Sequence, residues 1–157
     1  MRVDLDLVLK FATPVGVIGG FVSLVYTINS VRRQINAQIL MKYTERYEHI
    51  LGEFPEDALL GRFDSHAPLP AQSAQLTICL LKYLNLCSEE YYLWKHKYLA
   101  KTVWTVWEGD LKRIVGSPLL QREWPRLRVE YLSHRDFLEY VERIQAEHKA
   151  PRAAASG

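Results

Sequence analysis

The sequence predicts an all-α protein: an amino-terminal transmembrane helix that continues into a small cytoplasmic helical bundle. Three observations carry this. Eight glycines and seven prolines are too few and too scattered for a sheet-rich chain with a turn about every eight to twelve residues. Apolar residues recur at steps of three or four through most of the chain. A stretch near the amino terminus carries no charge over a length that suits a bilayer. The 157 residues are 48% apolar, with Lys+Arg 20 against Asp+Glu 18, which is enough for one compact domain with an appendage and excludes a disordered tail-type protein. Cys79 and Cys87 sit among apolar and aromatic residues and read as reduced thiols, not as a disulfide framework.

The uncharged stretch runs from Phe11 to Asn29, FATPVGVIGGFVSLVYTIN. With Lys10 snorkelling, a helix from Leu7 to Ile28 would cover about 33 Å. Its large side chains, Phe11, Val15, Val17, Ile18, Phe21, Val22, Leu24, Val25 and Ile28, contribute about −3 to −5 kcal/mol on insertion scales, partly offset by Pro14, the glycines and the hydroxyls. A cleaved signal peptide fits poorly, because Asp4 and Asp6 cancel Arg2 and Lys10 and no Ala-x-Ala site follows. A buried core helix fits poorly too, since Gly16, Gly19 and Gly20 would be costly there without a packing reason. Arg32, Arg33, Lys42 and Arg46 follow the span, so the positive-inside rule places the amino terminus outside and the bulk of the chain in the cytoplasm. The expected localisation is a bacterial inner membrane, crossed once. The expected divisions are residues 1–30 for the leading segment and span, 31–148 for the helical domain and 149–157 for a disordered tail.

Within the span, Ala12, Gly16, Gly20, Ser23 and Thr27 recur at helical spacing and lay small residues along one face, an expected oligomerisation surface with Gly16-x-x-x-Gly20 at its centre. In a larger ring the hydroxyls would face a narrow polar pore, and Asn29, Arg32 and Arg33 would form its cytoplasmic mouth. The competing account of Arg32 and Arg33 is that they only fix topology.

The helical period continues through Val31, Ile35, Ile39, Tyr43, Tyr47, Ile50 and Phe54, which predicts one helix running from the span into the domain and ending before Pro55. A short helical piece is expected at Glu56 to Arg62, then a loop, FDSHAPLP. A long helix is read from Ala71 to Tyr98, with Leu76, Cys79, Leu80, Tyr83, Leu84, Cys87 and Tyr91 on its apolar face, and another from Lys101 to Val115, with Trp104, Trp107, Leu111 and Ile114. Ser117-Pro118 has the form of an N-cap followed by a first-turn proline, and Ser133-x-x-Asp136 resembles a capping box opening a last helix from Ser133 to Glu147. Tyr91, Tyr92 and Trp94 cannot all point inward from one helix, so some of this surface is expected to meet another subunit.

The chain lacks GxSxG, a Walker A loop, HExxH, CxxC and GxGxxG, which weakens hydrolase and nucleotide-binding readings. His49, His66 and His96 have no second ligand at helical spacing, and neither a metal nor a cofactor is expected. Lys112, Arg113, Arg122, Arg126, Arg128 and Arg135 against Glu123 and Glu130 give a local charge of +4 (6 − 2), which would attract RNA or anionic headgroups unless it is only a solvated face.

One pattern points to chemistry. Arg143 is followed by His148 with four residues between, and Arg128 by His134 with five, the spacing at which HEPN ribonucleases place Arg and His on a scissile phosphate when subunits pair. Together with the single span and the continuous helix into a Trp- and Tyr-rich helical domain, Arg143-Ile-Gln-Ala-Glu-His148 resembles the small HEPN-like membrane accessory protein of type VI-B CRISPR loci. The resemblance implies a homo-oligomeric pore in the lipid bilayer, with RNA or an RNA-guided nuclease complex as partner, that permeabilises or depolarises the membrane in antiphage defence. It carries the degenerate motif onto Arg143 and His148. The setting ERIQAEH lacks the Asn or Asp that active HEPN enzymes often carry after the Arg, which argues against nuclease activity. Two other expectations stand beside the pore. In a membrane-tethered, metal-independent ribonuclease, His148 or His134 would act as general base and Arg143 or Arg128 would stabilise the phosphorane. The chain would otherwise be a passive anchor for a cytoplasmic partner.

Overall fold

The computed structural model describes the backbone of residues 5–60 and 68–154 and the side chains of residues 17–59 and 68–148. Every regular element among them is helical: α1 (Leu5–Glu53), α2 (Glu56–Leu60), α3 (Ala74–Lys95), α4 (Lys101–Val115), α5 (Pro118–Leu127), a 3₁₀ turn (Arg128–Tyr131) and α6 (Arg135–Ala154). The chain divides into two compact units, Met1–Ile39 and Leu40–Gly157. α1 runs unbroken through residue 30, where the expected division lay, and through the division between the two units.

In the first unit α1 leaves its apolar side chains uncovered. Val17, Ile18, Phe21, Val22, Leu24, Val25, Tyr26, Ile28, Val31 and Ile35 are all exposed, Phe21 by 66%. Among the described residues no helix is long and apolar enough to cross a membrane. The expected span from Phe11 to Asn29 begins within residues 11–16, whose side chains lie outside the described residues, as do those of Ala12 and Gly16.

The second unit has a core. Leu76, Leu80 and Leu84 of α3, Leu111 and Val115 of α4, Leu120 and Trp124 of α5, and Val141 and Ile144 of α6 are buried, which is the inward face that three- and four-residue spacing produces. α3 packs on α4 and α6, and α4 also on α5 and α6. An aromatic cluster joins three of these helices. The Tyr91 ring lies 6.0 Å from Trp104, 5.9 Å from Phe137 and 4.8 Å from Tyr140, and Trp94 stacks on Trp104 at 4.9 Å. Tyr92, on the other side of α3, stays exposed against His96 at 4.0 Å.

The helix ends follow local chemistry. Ser73 Oγ accepts from the Leu76 amide at 3.1 Å, so α3 starts three residues after the expected Ala71. It stops at Lys95 because Lys97 enters the left-handed region (φ 62), where its amide and that of Tyr98 bond back to the Trp94 and Leu93 carbonyls, both at 2.9 Å. α4 has the predicted bounds. Ser117 caps α5 through the Leu120 amide at 3.3 Å, with Pro118 in the first turn as expected. The expected Ser133 capping box does not form: α6 begins at Arg135, and Ser133 Oγ lies 3.3 Å from His134 Nδ1. The last helix also continues to Ala154, into the segment expected to be a tail. α2 ends at Leu60, and the rest of its expected extent and most of the following loop lie outside the described residues.

Candidate functional site

A helix places successive residues about 100° apart, which sorts the exposed stretch of α1 into two faces. Val17, Ile18, Phe21, Val22, Leu24, Val25, Tyr26 and Ile28 fill an arc of about 200°. Gly19, Gly20, Ser23 and Thr27 fill the remainder, where the helical register also puts Ala12 and Gly16. Thr27 Oγ1 donates to the Ser23 carbonyl at 2.8 Å, so this hydroxyl is satisfied within its own helix. A Cβ added at Gly19 or Gly20 would meet nothing within 4 Å. None of the described residues therefore needs these positions to be small, although each glycine costs a helix about 1 kcal/mol relative to alanine. Asn29, Arg32 and Arg33 follow on exposed surface, and the Arg32 carbonyl accepts from Asn36 Nδ2 at 2.7 Å.

The four candidate catalytic residues lie in the second unit, and their described contacts have no partner in common. The Arg143 guanidinium sits 5.1 Å from the centre of the Tyr140 ring, whose hydroxyl donates to Glu108 at 2.6 Å. Burial pushes the Glu108 carboxyl up, but the hydrogen bonds from Tyr140 and Lys112 and the charges of Lys112 and Arg143 hold it below the ordinary range. His148 donates through Nδ1 to the Ile144 carbonyl at 2.9 Å and rests against Gly116. Five residues apart on α6, Arg143 and His148 point about 140° apart. Arg128 pairs with Glu142 at 2.8 Å. His134 lies beside Ser133 and the Tyr131 ring and lines a cavity of about 240 Å³ with Tyr43, Ser88, Glu89, Tyr92 and Leu93. Arg46 holds Glu89 there through two hydrogen bonds, at 2.6 and 3.1 Å.

The basic run is largely neutralised within the fold. Lys112 pairs with Glu108, Arg113 with Asp110, Arg122 and Arg126 with Glu123, and Arg128 with Glu142, at 2.7 to 3.0 Å. Glu108 and Asp110 reach Lys112 and Arg113 from the neighbouring turn of α4, whereas Glu142 of α6 is brought to Arg128 only by the fold.

Two acids that the sequence reads as part of solvated helix faces are buried. Glu123 is fully buried and accepts from Gln72, Arg122 and Arg126. Glu90 is 7% exposed, and burial together with the charges of Glu89 and Asp110 pushes its carboxyl up to about 8 against the pull of Arg46. The only sequence signal for Glu123 is its setting between Arg122 and Arg126, and Glu90 has none. Among the described residues no cluster of His, Cys, Asp and Glu is placed to hold a metal ion. Comparison with known proteins finds no matching family, no curated relative and no similar solved structure.

Proposed function

We propose that this chain is a self-assembling membrane protein in which the apolar part of α1 enters a bilayer and associates with its copies through the face of small residues. The supporting observation is the apolar surface from Val17 to Ile35 that the chain leaves uncovered. Exposed contiguous apolar surface of this extent marks a membrane or protein interface. The two faces divide the work. The wide arc of large side chains suits acyl chains, whereas Gly20, Ser23 and Thr27 suit close approach of a second helix. Orientation follows Arg32 and Arg33, with the amino terminus outside and the helical unit in the cytoplasm. In the finer reading, drawn from the resemblance to the type VI-B accessory proteins, the assembly is a ring that permeabilises the membrane when triggered.

The ribonuclease reading has less support, since Arg143 and Arg128 are engaged by Tyr140 and Glu142, and His148 packs on Gly116. Flotation of full-length protein with phospholipid vesicles tests insertion: the native chain is expected to rise with the lipid, and Val22→Asp with Val25→Asp to stay in the dense fraction. Sizing in detergent tests assembly, where Gly16→Leu with Gly20→Leu is expected to give monomers. A native chain that fails to float ends the membrane reading, and unchanged oligomers in the leucine variant end the packing claim.

A further inference from the structure

We propose that the turn between α3 and α4 binds single-stranded nucleic acid, with bases stacked on Tyr92 and Tyr98 and phosphates held by Lys97, Lys101 and Arg135. Three rings meet at this turn. Tyr92 and His96 lie one helical turn apart, with ring centroids at 4.0 Å, and His96 Nδ1 donates to the Tyr92 carbonyl at 2.9 Å, which fixes the imidazole at the end of α3. Lys97 then enters the left-handed region, and the Tyr98 amide bonds back to the Leu93 carbonyl. That turn lays the Tyr98 ring 6.5 Å from His96 and within 19° of parallel.

Core packing does not account for these rings. Tyr92 is 55% and Tyr98 62% exposed, whereas the neighbouring Leu99 is buried. Tyr92 also lines the cavity of about 240 Å³ that it shares with Ser88 and His134, a recess beside the stacked rings.

Cations flank the rings. Lys97, Lys101 and Arg135 are exposed and make no ion pair among the described residues. The pair between Lys95 and Asp136 ties the start of α6, and with it Arg135, to the end of α3. Lys95, Lys97, Lys101 and Arg135 against Asp136 and Glu139 leave a local charge of +2 (4 − 2). Glycine would take the left-handed conformation of Lys97 at lower cost, so the turn keeps a cation at the expense of backbone strain. Exposed rings beside unpaired cations match a polyanion that itself carries flat rings. A single strand supplies both, whereas a duplex hides its base faces, an anionic bilayer has phosphate without rings, and a proline-rich peptide has no charge to meet the cations.

Binding of a fluorescein-labelled, unstructured 12-nucleotide RNA to full-length protein in an uncharged detergent is followed by anisotropy. Saturable binding is expected, with similar affinity for DNA of the same sequence, because neither stacking nor phosphate contact uses the 2′-hydroxyl. Tyr92→Ala and Tyr98→Ala, both at exposed positions, should each weaken it about fivefold or more, and Tyr98→Phe should keep the native affinity. With three phosphate contacts, the logarithm of affinity should fall against the logarithm of salt with a slope of about −2, and Lys97→Gly with Lys101→Gln should make that slope shallower by about 1.4. Lys97→Gly removes the charge and keeps the turn. No saturable binding, undiminished affinity in both alanine variants, or equal affinity for a duplex of the same length would overturn the proposal. Alanine variants that lose flotation with phosphatidylglycerol vesicles but keep RNA affinity would assign the rings to a membrane surface instead.

Discussion

The imidazole of His148 occupies the space that a side chain at Gly116 would need: a Cβ there would lie 2.4 Å from Cδ2 and 2.6 Å from Nε2 of that ring. Tyr140 meets Glu108 eight residues earlier on each helix, so α4 and α6 run parallel and His148 secures the far end of their contact. Its Nδ1 proton is committed to the Ile144 carbonyl. These contacts give His148 a packing role.

Gly116→Ala should therefore destabilise the helical unit by about 1–2 kcal/mol, the usual cost of overpacking. His148→Ala in the same chain should restore much of the loss, and a double-mutant cycle by urea unfolding measures the coupling. Additive effects would show that the ring moves aside at no cost.

Glu123 joins α5 to the segment before α3. Gln72 Nε2 and Arg122 Nε reach one carboxylate oxygen at 3.1 and 2.7 Å, and Arg126 reaches the other at 2.8 Å while also bonding Thr77 Oγ1 at 2.7 Å. Burial pushes the carboxyl up, but the hydrogen bonds from Gln72 and Arg122 and the two guanidinium charges hold it below the ordinary range. The stability this adds is present above the unfolded-state value and is lost as pH falls through the folded one. Glu123→Ala should cost about 2–3 kcal/mol, less than a fully buried pair, because Arg122 and Arg126 are partly exposed and can turn to water. The comparison is of urea midpoints at pH 7, and the difference between variant and native chain should narrow below pH 4.

The elements were legible in the sequence where local chemistry sets them. The bounds of α4, the Ser117-Pro118 start of α5 and the unbroken course of α1 to Glu53 follow from periodicity, caps and the position of Pro55. The Ser133 motif misled because Ser133-x-x-Asp136 matches a capping pattern without fixing the backbone, and the chain was still leaving the 3₁₀ turn there. The side-chain sites were largely illegible. Arg128 read as free charge until the fold brought Glu142 to it. At Gly116 the sequence gives no hint of the histidine that fills its space. The small face of α1 was visible as spacing, whereas the open space beside Gly19 and Gly20 among the described residues was not.

Arg32 and Arg33 are exposed and follow the uncharged stretch that ends at Asn29. On the membrane reading they act as topology signals. Arg32→Glu with Arg33→Glu should lower several-fold the fraction of chains whose helical unit faces the cytoplasm, scored by protease protection in intact and opened cells. If reconstituted protein conducts ions, correctly oriented variant chains should keep the native ion selectivity. A changed reversal potential would instead place the two arginines along a conduction path.

Glu90 makes the stability of the helical unit depend on pH in the opposite sense to Glu123. The carboxyl faces Arg46 from α1, Glu89 on its own helix and Asp110 from α4, and burial with the two acidic neighbours outweighs the arginine, so it rises to about 8. The folded chain then holds this proton more tightly than the unfolded chain, whose value is near the ordinary 4.5. Glu90 therefore favours folding least when ionised: its contribution declines from about pH 4.5 upward and levels off above about 8. Glu90→Gln keeps the shape and removes the titration. Relative to the native chain, the variant should gain on the order of 3 kcal/mol between pH 5 and pH 8.5, at about 1.4 kcal/mol for each unit of displacement. Unfolding by urea at the two pH values measures this, and ending at 8.5 keeps the Cys87 thiol, which burial pushes well above its ordinary value, out of the comparison. A native chain whose stability is level across that range, or a glutamine variant that follows the same slope, would show that Glu90 is ionised and accommodated in the folded unit.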